Sequence, residues 1–245
     1  MNVKLILGSY GGGVVVDEEL RGWRLGSNYS VLVRPSELTS LCPTKRDVWL
    51  VRRGARLCSG CVRRGVEYHN EVLTIIGQAV ILGWEGLRRV LSSVKTHAGI
   101  WALTLASAWL SNGAVPPIAI EPKLPPAAGF TSSRPDLVIG SSPTEVLYSN
   151  GRSDYLRRKE VEVCAYGMIL EALLKYPVDR GYLVVITDDG VSTEEVILSN
   201  SLREEVLVLR DEVARVLSSD EAPPIPSKCV EGCPLSKYCL GGSNE

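Results

Sequence analysis

The sequence lacks long hydrophobic runs, an excess of either charge, and internal repeats. No stretch reaches the roughly 18 consecutive apolar residues of a transmembrane helix, and this excludes a membrane-spanning protein. The 27 basic residues nearly balance the 28 acidic residues, so the chain is not a globally basic nucleic-acid binder, although a local basic patch is compatible with this total. The first residues carry neither the basic segment nor the cleavage site of a secretory signal. We therefore expect a cytoplasmic protein that does not contact a membrane.

The composition is that of a globular protein, since 45% of the residues are apolar and 22% are charged. Ser36 or Thr39 is predicted to cap a helix that runs through Trp49. Helical periodicity extends over residues 64–111, and a break is predicted at residues 95–99. The first part of the chain is therefore predicted to be mainly helical.

The second part alternates short strands with helices. Strands are predicted at residues 116–121, 136–139, 145–148, 181–187 and 191–198, and helices at residues 154–175 and 201–218. This order predicts an α/β fold in three regions. They are an N-terminal helical region (residues 1–115), a core with the strands (116–222), and a small cysteine-rich C-terminal module (223–245).

Three cysteines lie close together in that module: Cys229, Cys233 and Cys239. Thiolates at such short spacing can converge on one soft metal centre, and Cys42 is the natural fourth ligand. Two other interpretations stay open. The cysteines can be buried apolar residues, or a zinc site can pair two of them with Cys58 and Cys61, which form a CxxC half-site. Cys164 lies among apolar residues of a predicted helix and is expected in the core.

Two carboxylates, Asp136 and Glu145, are predicted at the starts of adjacent strands. Such a pair can share a hard divalent cation, typically Mg²⁺ or Mn²⁺, although charged residues at strand ends are more often simply solvated. His69, one of two histidines in the chain, lies on a predicted helix. On the predicted helix 154–175, Lys159, Glu162 and Tyr166 share one face because they are spaced i, i+3 and i+7.

Residues 45–64 form a basic segment, with seven basic residues against one acidic residue. By contrast, residues 180–245 carry 12 acidic and 6 basic residues. With Trp49 beside it, the basic segment suits phosphate binding and stacking on a single strand, and the alternative is a solvated helix face. The candidate DNA-binding residues are Lys45, Arg46, Arg52, Arg53, Arg63 and Arg64.

Six segments and His69 together resemble a known family. The segments are ELRGW (19–23), TSLCPTKRDVWL (39–50), RPDLVIG (134–140), CAYGMILEA (164–172), YPVDRGYLVVI (176–186) and CVEGCPLSKYC (229–239). They resemble the CRISPR-associated RecB-like nucleases with an iron–sulfur cluster, the Cas-four family, and in particular its archaeal subtype I-A branch, Csa-one. The resemblance covers the chain from about residue 17.

The resemblance implies a restriction-endonuclease-like fold of the PD-(D/E)xK type, with a mixed sheet flanked by helices. It also implies that His69, Asp136 and Glu145 bind the divalent cation and that Tyr166 is the family's tyrosine. Cys42, Cys229, Cys233 and Cys239 match the ligands of a cluster that is usually [4Fe–4S]. The implied partners are DNA, single-stranded or a duplex with frayed ends, and the Cas-one/Cas-two integrase.

The chain departs from the family pattern at two positions. Leu147 stands where the catalytic lysine is expected, and Glu162 stands where a glutamine is usual. In a metal nuclease the lysine orients the attacking water and offsets developing negative charge, which leucine cannot do. Lys159 or Arg158, from the facing helix, is a candidate to replace it.

Three functions follow as hypotheses. The first is a metal-dependent DNA exonuclease of CRISPR adaptation that prepares spacer precursors for integration, with Lys159, Glu162 and Tyr166 also in the active site. The second, motivated by Leu147, is a cleavage-impaired, cluster-stabilised DNA-binding subunit of the adaptation complex. The third is a zinc-binding scaffold without a cluster.

Overall fold

The computed structural model of the chain describes residues 31–56, 59–112, 118–148, 153–228 and 233–239, without the side chains of residues 59–65 and 153–154. The helices are α1 (Arg46–Arg52), α2 (Ser59–Leu82), α3 (Trp84–Leu91), α4 (His97–Ser111), α5 (Ser153–Leu174), α6 (Asn200–Leu217) and α7 (Ser236–Cys239). The strands are β1 (Ile118–Ile120), β2 (Leu137–Ile139), β3 (Ser142–Tyr148), β4 (Arg180–Ile186) and β5 (Val191–Ile197). Within these ranges no helix is long and apolar enough to cross a membrane.

The strands form one mixed sheet in the order β1-β2-β3-β4-β5. Neighbouring strands are antiparallel except for β3 and β4, which are parallel. Parallel neighbours need a crossover connection, and α5 provides it. The predicted α/β fold, a mixed sheet flanked by helices, is therefore confirmed. Its assignment to the restriction-endonuclease-like type stays a prediction.

Helices cover both faces of the sheet. One core lies on the side of α5 and α6 and includes Leu147 and Leu183. The other lies on the side of α2, α3 and α4 and includes Val146 and Val184. Successive residues of a strand point to opposite faces, so β3 and β4 each supply both cores. This two-sided burial explains the continuous apolar run that predicted β4 from the sequence.

The helical region divides at one more place than predicted. The break between α3 and α4 is confirmed, and Thr96 caps α4 by accepting the amide of Gly99 at 3.0 Å. A second break falls at Gly83, whose φ is +58°. The helix α3 then returns so close to α2 that a Cβ on Gly86 would lie 1.9 Å from the carbonyl oxygen of Gln78. Two glycines therefore permit this helical hairpin.

A helix does run through Trp49, as predicted, but its predicted start and cap at Ser36 or Thr39 are wrong. A 3-10 turn covers Pro35–Glu37, and α1 begins only at Arg46. The Thr39 hydroxyl donates to the carbonyl of Ser36 instead of capping a helix. Pro43 explains the difference, because proline has no amide hydrogen and its ring pushes the preceding residue out of helical geometry.

Candidate functional site

The candidate site lies along the part of β3 that is not paired with β2. β2 pairs with β3 only over Ser142–Thr144, because the chain leaves the sheet at Asp136. The Asp136 carboxylate accepts the amide of Val146 at 2.7 Å, and the Asp136 amide donates to Glu145 Oε1 at 3.3 Å. The two predicted carboxylates therefore lie side by side, although Glu145 is in the middle of its strand and not at its start.

The ammonium group beside these carboxylates comes from α5. Lys159 Nζ donates to Glu145 Oε2 at 3.0 Å and to Glu162 Oε2 at 2.7 Å. Leu147, at the position where the family has its lysine, is 3% exposed and packs in the core. A positive charge thus reaches Glu145 from the facing helix. Of the two replacements considered, Lys159 makes this contact, while Arg158 Nη1 is buried and has no hydrogen-bond partner among the described residues.

His69 reaches Asp136 from α2. Its Nε2 lies 3.5 Å from Asp136 Oδ1. Burial lowers the pKa of His69, so that its imidazole is neutral near pH 7 and keeps a lone pair for a ligand. The structure thus brings together His69, Asp136, Glu145, Lys159 and Glu162.

The balance of charge in this cluster is negative. Burial raises the pKa of Asp136, Glu145 and Glu162 to about 7, and carboxylates next to one another add to the effect. Burial also acts to lower the pKa of Lys159, but Glu145 and Glu162 outweigh it and hold that pKa well above its ordinary value. One ammonium group faces three carboxylates, so a further cation would be stabilised here.

The donor set fits a hard divalent cation in its chemistry. Two carboxylates and a neutral imidazole lie near one another, and such ligands suit Mg²⁺ or Mn²⁺. In the described part of the chain no group of three or more His, Cys, Asp or Glu side chains is arranged ready to hold a metal ion. The Glu145 oxygens are turned to the Asp136 amide and to Lys159.

Glu162 and Tyr166, the other two predicted residues on α5, hold parts of the site in position. Glu162 is buried and holds Lys159 by the 2.7 Å contact. The Tyr166 hydroxyl donates to the carbonyl of Arg134 at 3.1 Å. Arg134 begins the short segment that leads to Asp136, so Tyr166 fixes the backbone that carries this carboxylate.

Three of the four predicted cluster cysteines line one cavity of about 360 Å³. Cys42, Cys233 and Cys239 lie in its wall together with apolar side chains such as Val48 and Leu235. The fourth cysteine, Cys229, lies outside the described residues. Soft thiol donors around an apolar space suit an iron–sulfur cluster in their chemistry. Cys164 is fully buried in the core, as predicted.

The segment that carries Cys42 is tied to the C-terminal region by hydrogen bonds. Trp49 Nε1 donates to the carbonyl of Ser219 at 3.1 Å, and Arg53 Nη2 donates to the same oxygen at 2.7 Å. The amide of Arg56 donates to the hydroxyl of Tyr238 at 3.1 Å. The distant parts of the sequence that carry the cysteines are therefore held together by ordinary polar contacts.

Arginines that were predicted to bind DNA have partners within the chain. Arg46 donates to the carbonyl of Pro223, and Arg52 forms an ion pair with Glu37. The Arg53 guanidinium also lies 4.0 Å from the centre of the Trp49 ring. Lys45 is 8% exposed and precedes α1 with a φ of +57°. The side chains of residues 63 and 64 lie outside the described part, and DNA binding by this segment stays a prediction.

Sequence reasoning missed several residues around the carboxylates. The amide of Glu121 donates to the Asp136 carbonyl at 2.8 Å, and its carboxylate acts to raise the pKa of His69 and Asp136. Three tyrosines line the cavity along the open edge of β3: Tyr68, Tyr148 and Tyr155. Helical spacing could have indicated Tyr155, which is four residues before Lys159 on α5. The end of β3, predicted at Tyr148, could have indicated another.

Comparison with known proteins shows what the chain is similar to. The sequence model of a family described as "CRISPR-associated exonuclease Csa1" matches residues 88–242. A curated protein of that description from Saccharolobus solfataricus is 26% identical over 278 residues, covering 91% of this chain and 92% of its own length. A solved structure described as "Crystal structure of SSO0001" covers 72% of this chain and 86% of its own, with 16% identity and a TM-score of 0.34.

Proposed function

The chain belongs to the family of the CRISPR-associated exonuclease Csa1, and from this premise we propose that it is a divalent-metal-dependent DNA exonuclease of CRISPR adaptation. It would trim single-stranded or end-frayed DNA into spacer precursors for the Cas-one/Cas-two integrase. The observation that carries the proposal is the contact of Lys159 with Glu145 at 3.0 Å, beside Asp136 and His69. This contact supplies the positive charge that Leu147 cannot provide.

His69, Asp136 and Glu145 are the residues that would hold Mg²⁺ or Mn²⁺. When bound, such a cation lowers the pKa of a water molecule and offsets the charge of the phosphate. The carboxylate of Asp136 is fixed for this task by the amide of Val146. The neutral imidazole of His69 supplies a nitrogen lone pair without adding charge.

Lys159 keeps a positive charge beside the carboxylates, where negative charge develops on the phosphodiester during attack. Glu162 orients it, since its Oε2 lies 2.7 Å from Nζ. Tyr166 acts farther out, by holding the carbonyl of Arg134 and with it the approach to Asp136. We assign Lys159 the catalytic role and the other two residues positioning roles.

Asp136→Asn is expected to lower metal-dependent DNA cleavage at least about 100-fold, because the carboxylate that would bind the cation becomes a neutral amide. The measurement uses end-labelled single-stranded and duplex DNA with Mn²⁺, with Mg²⁺ and with a chelator. Asp189→Asn is the matched control, since this exposed aspartate lies in the turn between β4 and β5. Cleavage that persists unchanged in Asp136→Asn would contradict the proposed site.

The same assay decides between the exonuclease and a cleavage-impaired DNA-binding subunit. The observation that favours the subunit is Leu147 at the position of the family's lysine. It predicts DNA binding that weakens steeply with salt, without metal-dependent cleavage by the unmodified chain. Cleavage that depends on Asp136 excludes it.

We also propose that Cys42, Cys229, Cys233 and Cys239 hold a [4Fe–4S] cluster, supported by the cavity that three of them share. Protein purified without oxygen is expected to be brown and to contain about four iron atoms per chain. Cys42→Ala should lose most of the iron, whereas Cys164→Ala, at a core cysteine, should keep it. A colourless protein that contains zinc would instead support a zinc site.

A further inference from the structure

The cavity beside the carboxylates is larger than a cation and a phosphate need. It measures about 480 Å³ and follows the open edge of β3 beyond Glu145. Along β3 its lining runs from Glu145, beside Asp136 and Lys159, to Tyr148, beside Tyr68 and Ile186, while Tyr155 lines it from α5. The charged end has a proposed role in cleavage, and the aromatic end has none yet.

Two of these tyrosines form a fixed pair. The rings of Tyr68 and Tyr148 meet edge to face, with centres 5.0 Å apart and planes at 61°. The Tyr148 hydroxyl donates to Asp188, so it is directed away from the carboxylates. The Tyr148 ring is thus held by its contact with the Tyr68 ring and by its hydroxyl. An aromatic surface held in this way loses little conformational entropy when a ligand stacks on it.

The third tyrosine comes from α5. Tyr155 is four residues before Lys159, so both side chains lie on one face of the helix. Tyr155 is 39% exposed, and part of its ring is free to contact a ligand. The aromatic end of the cavity therefore has walls from α2 and β3 on one side and from α5 on the other.

We propose that Tyr148 and Tyr155 form a base-stacking subsite that receives one unpaired nucleotide next to the phosphate to be cleaved. The subsite rests on the proposed DNA cleavage, because that reaction places a sugar and a base beside the carboxylates. Every base can stack on an aromatic ring, so such a surface is tolerant of sequence. Strand geometry places the Cα atoms of Glu145 and Tyr148 about 10 Å apart and directs the two side chains to opposite faces of β3. Both line the same cavity because it passes around the open edge of the strand.

Only an unpaired nucleotide can use this subsite. In a duplex the bases are stacked inside the helix, and an enzyme reaches one of them only by extruding it or by acting on a single strand. The concave cavity behind the carboxylates therefore selects strand ends that are already unpaired. The tyrosines would set this preference, while the charged end would supply the chemistry.

The test measures binding without cleavage. The full chain is titrated, with Ca²⁺ in place of Mg²⁺ or Mn²⁺, against fluorescent single-stranded oligonucleotides whose end nucleotide, 5′ or 3′, is either normal or abasic. The unmodified chain should bind one normal end about 10-fold more tightly than the matching abasic end. Tyr148→Leu and Tyr155→Leu should reduce this preference to less than about 2-fold, while Tyr148→Phe and Tyr155→Phe should keep it.

Tyr176→Leu is the matched control. This tyrosine is 61% exposed and follows the far end of α5, about 30 Å along the helix from Tyr155, so its variant should keep the preference. Equal binding of normal and abasic ends by the unmodified chain, or an unchanged preference in Tyr155→Leu, overturns the subsite. A chain that shows the preference but never cuts DNA upholds the subsite and overturns the proposed cleavage.

Discussion

Lys159→Met lowers the rate of metal-dependent DNA cleavage about 100- to 1000-fold, the loss expected when one group that stabilises transition-state charge is removed. Methionine has nearly the length of the lysine stem and packs in the same place, but it carries no charge. The Lys159 ammonium contacts both Glu145 and Glu162, so its removal also leaves two neighbouring carboxylates uncompensated. The measurement is kcat on a labelled single strand with Mn²⁺.

A second variant separates the catalytic role of this lysine from a structural one. Leu147 and Glu145 are two residues apart on β3, so they point to the same face of the sheet, the face that α5 covers. In the Lys159→Met background, Leu147→Lys should therefore restore part of the activity, because the new ammonium group is close to the same carboxylates. Leu147→Met in that background is the uncharged control and should restore none.

Two results would contradict this account. The first is full activity in Lys159→Met, which would mean that the ammonium group only neutralises buried carboxylates. The second is equal recovery with Leu147→Lys and Leu147→Met, which would point to packing as the cause. Thermal melting of each variant checks that the compared proteins are folded.

The family and the α/β architecture could be predicted from the sequence because both depend on local patterns. Membership is confirmed by the family that matches residues 88–242. The predicted strands and helices of residues 136–218 are confirmed to within a few residues, apart from β3, which starts at Ser142, before its predicted start. Periodicity and turn residues encode these elements directly.

The arrangement of the site could be predicted only in part, because it depends on contacts between elements. The sequence places Asp136 and Glu145 nine residues apart, but it does not show that β2 starts only at Leu137 and that the Asp136 carboxylate binds the amide of Val146 on β3. The position of Lys159 on the right face of α5 could be predicted, but its 3.0 Å contact with Glu145 depends on how α5 packs on the sheet. The cap predicted at Ser36 or Thr39 failed because Pro43 outweighed local helix signals.

Arg203→Met is expected to lower the free energy of unfolding by about 3–5 kcal/mol, because it leaves a charge buried without its partner. Arg203 on α6 is fully buried and forms an ion pair with Glu171 of α5. Its guanidinium also donates to the carbonyls of Val178 at 2.8 Å and Leu198 at 2.9 Å. One side chain thus joins both helices to the segments before β4 and after β5. Urea unfolding followed by circular dichroism measures the change.

The control variant is Arg157→Met, which breaks ion pairs of similar length on the surface of the same two helices. Arg157 contacts Glu160 at 2.6 Å and Glu205 at 2.5 Å, but its side chain is 54% exposed. Water and salt screen such contacts, so this variant should lose less than about 1 kcal/mol. Replacing Glu171 together with Arg203 by methionine should cost less than Arg203→Met, because no lone charge remains buried. Equal losses in Arg203→Met and Arg157→Met would show that the buried pair does not hold α5 against α6.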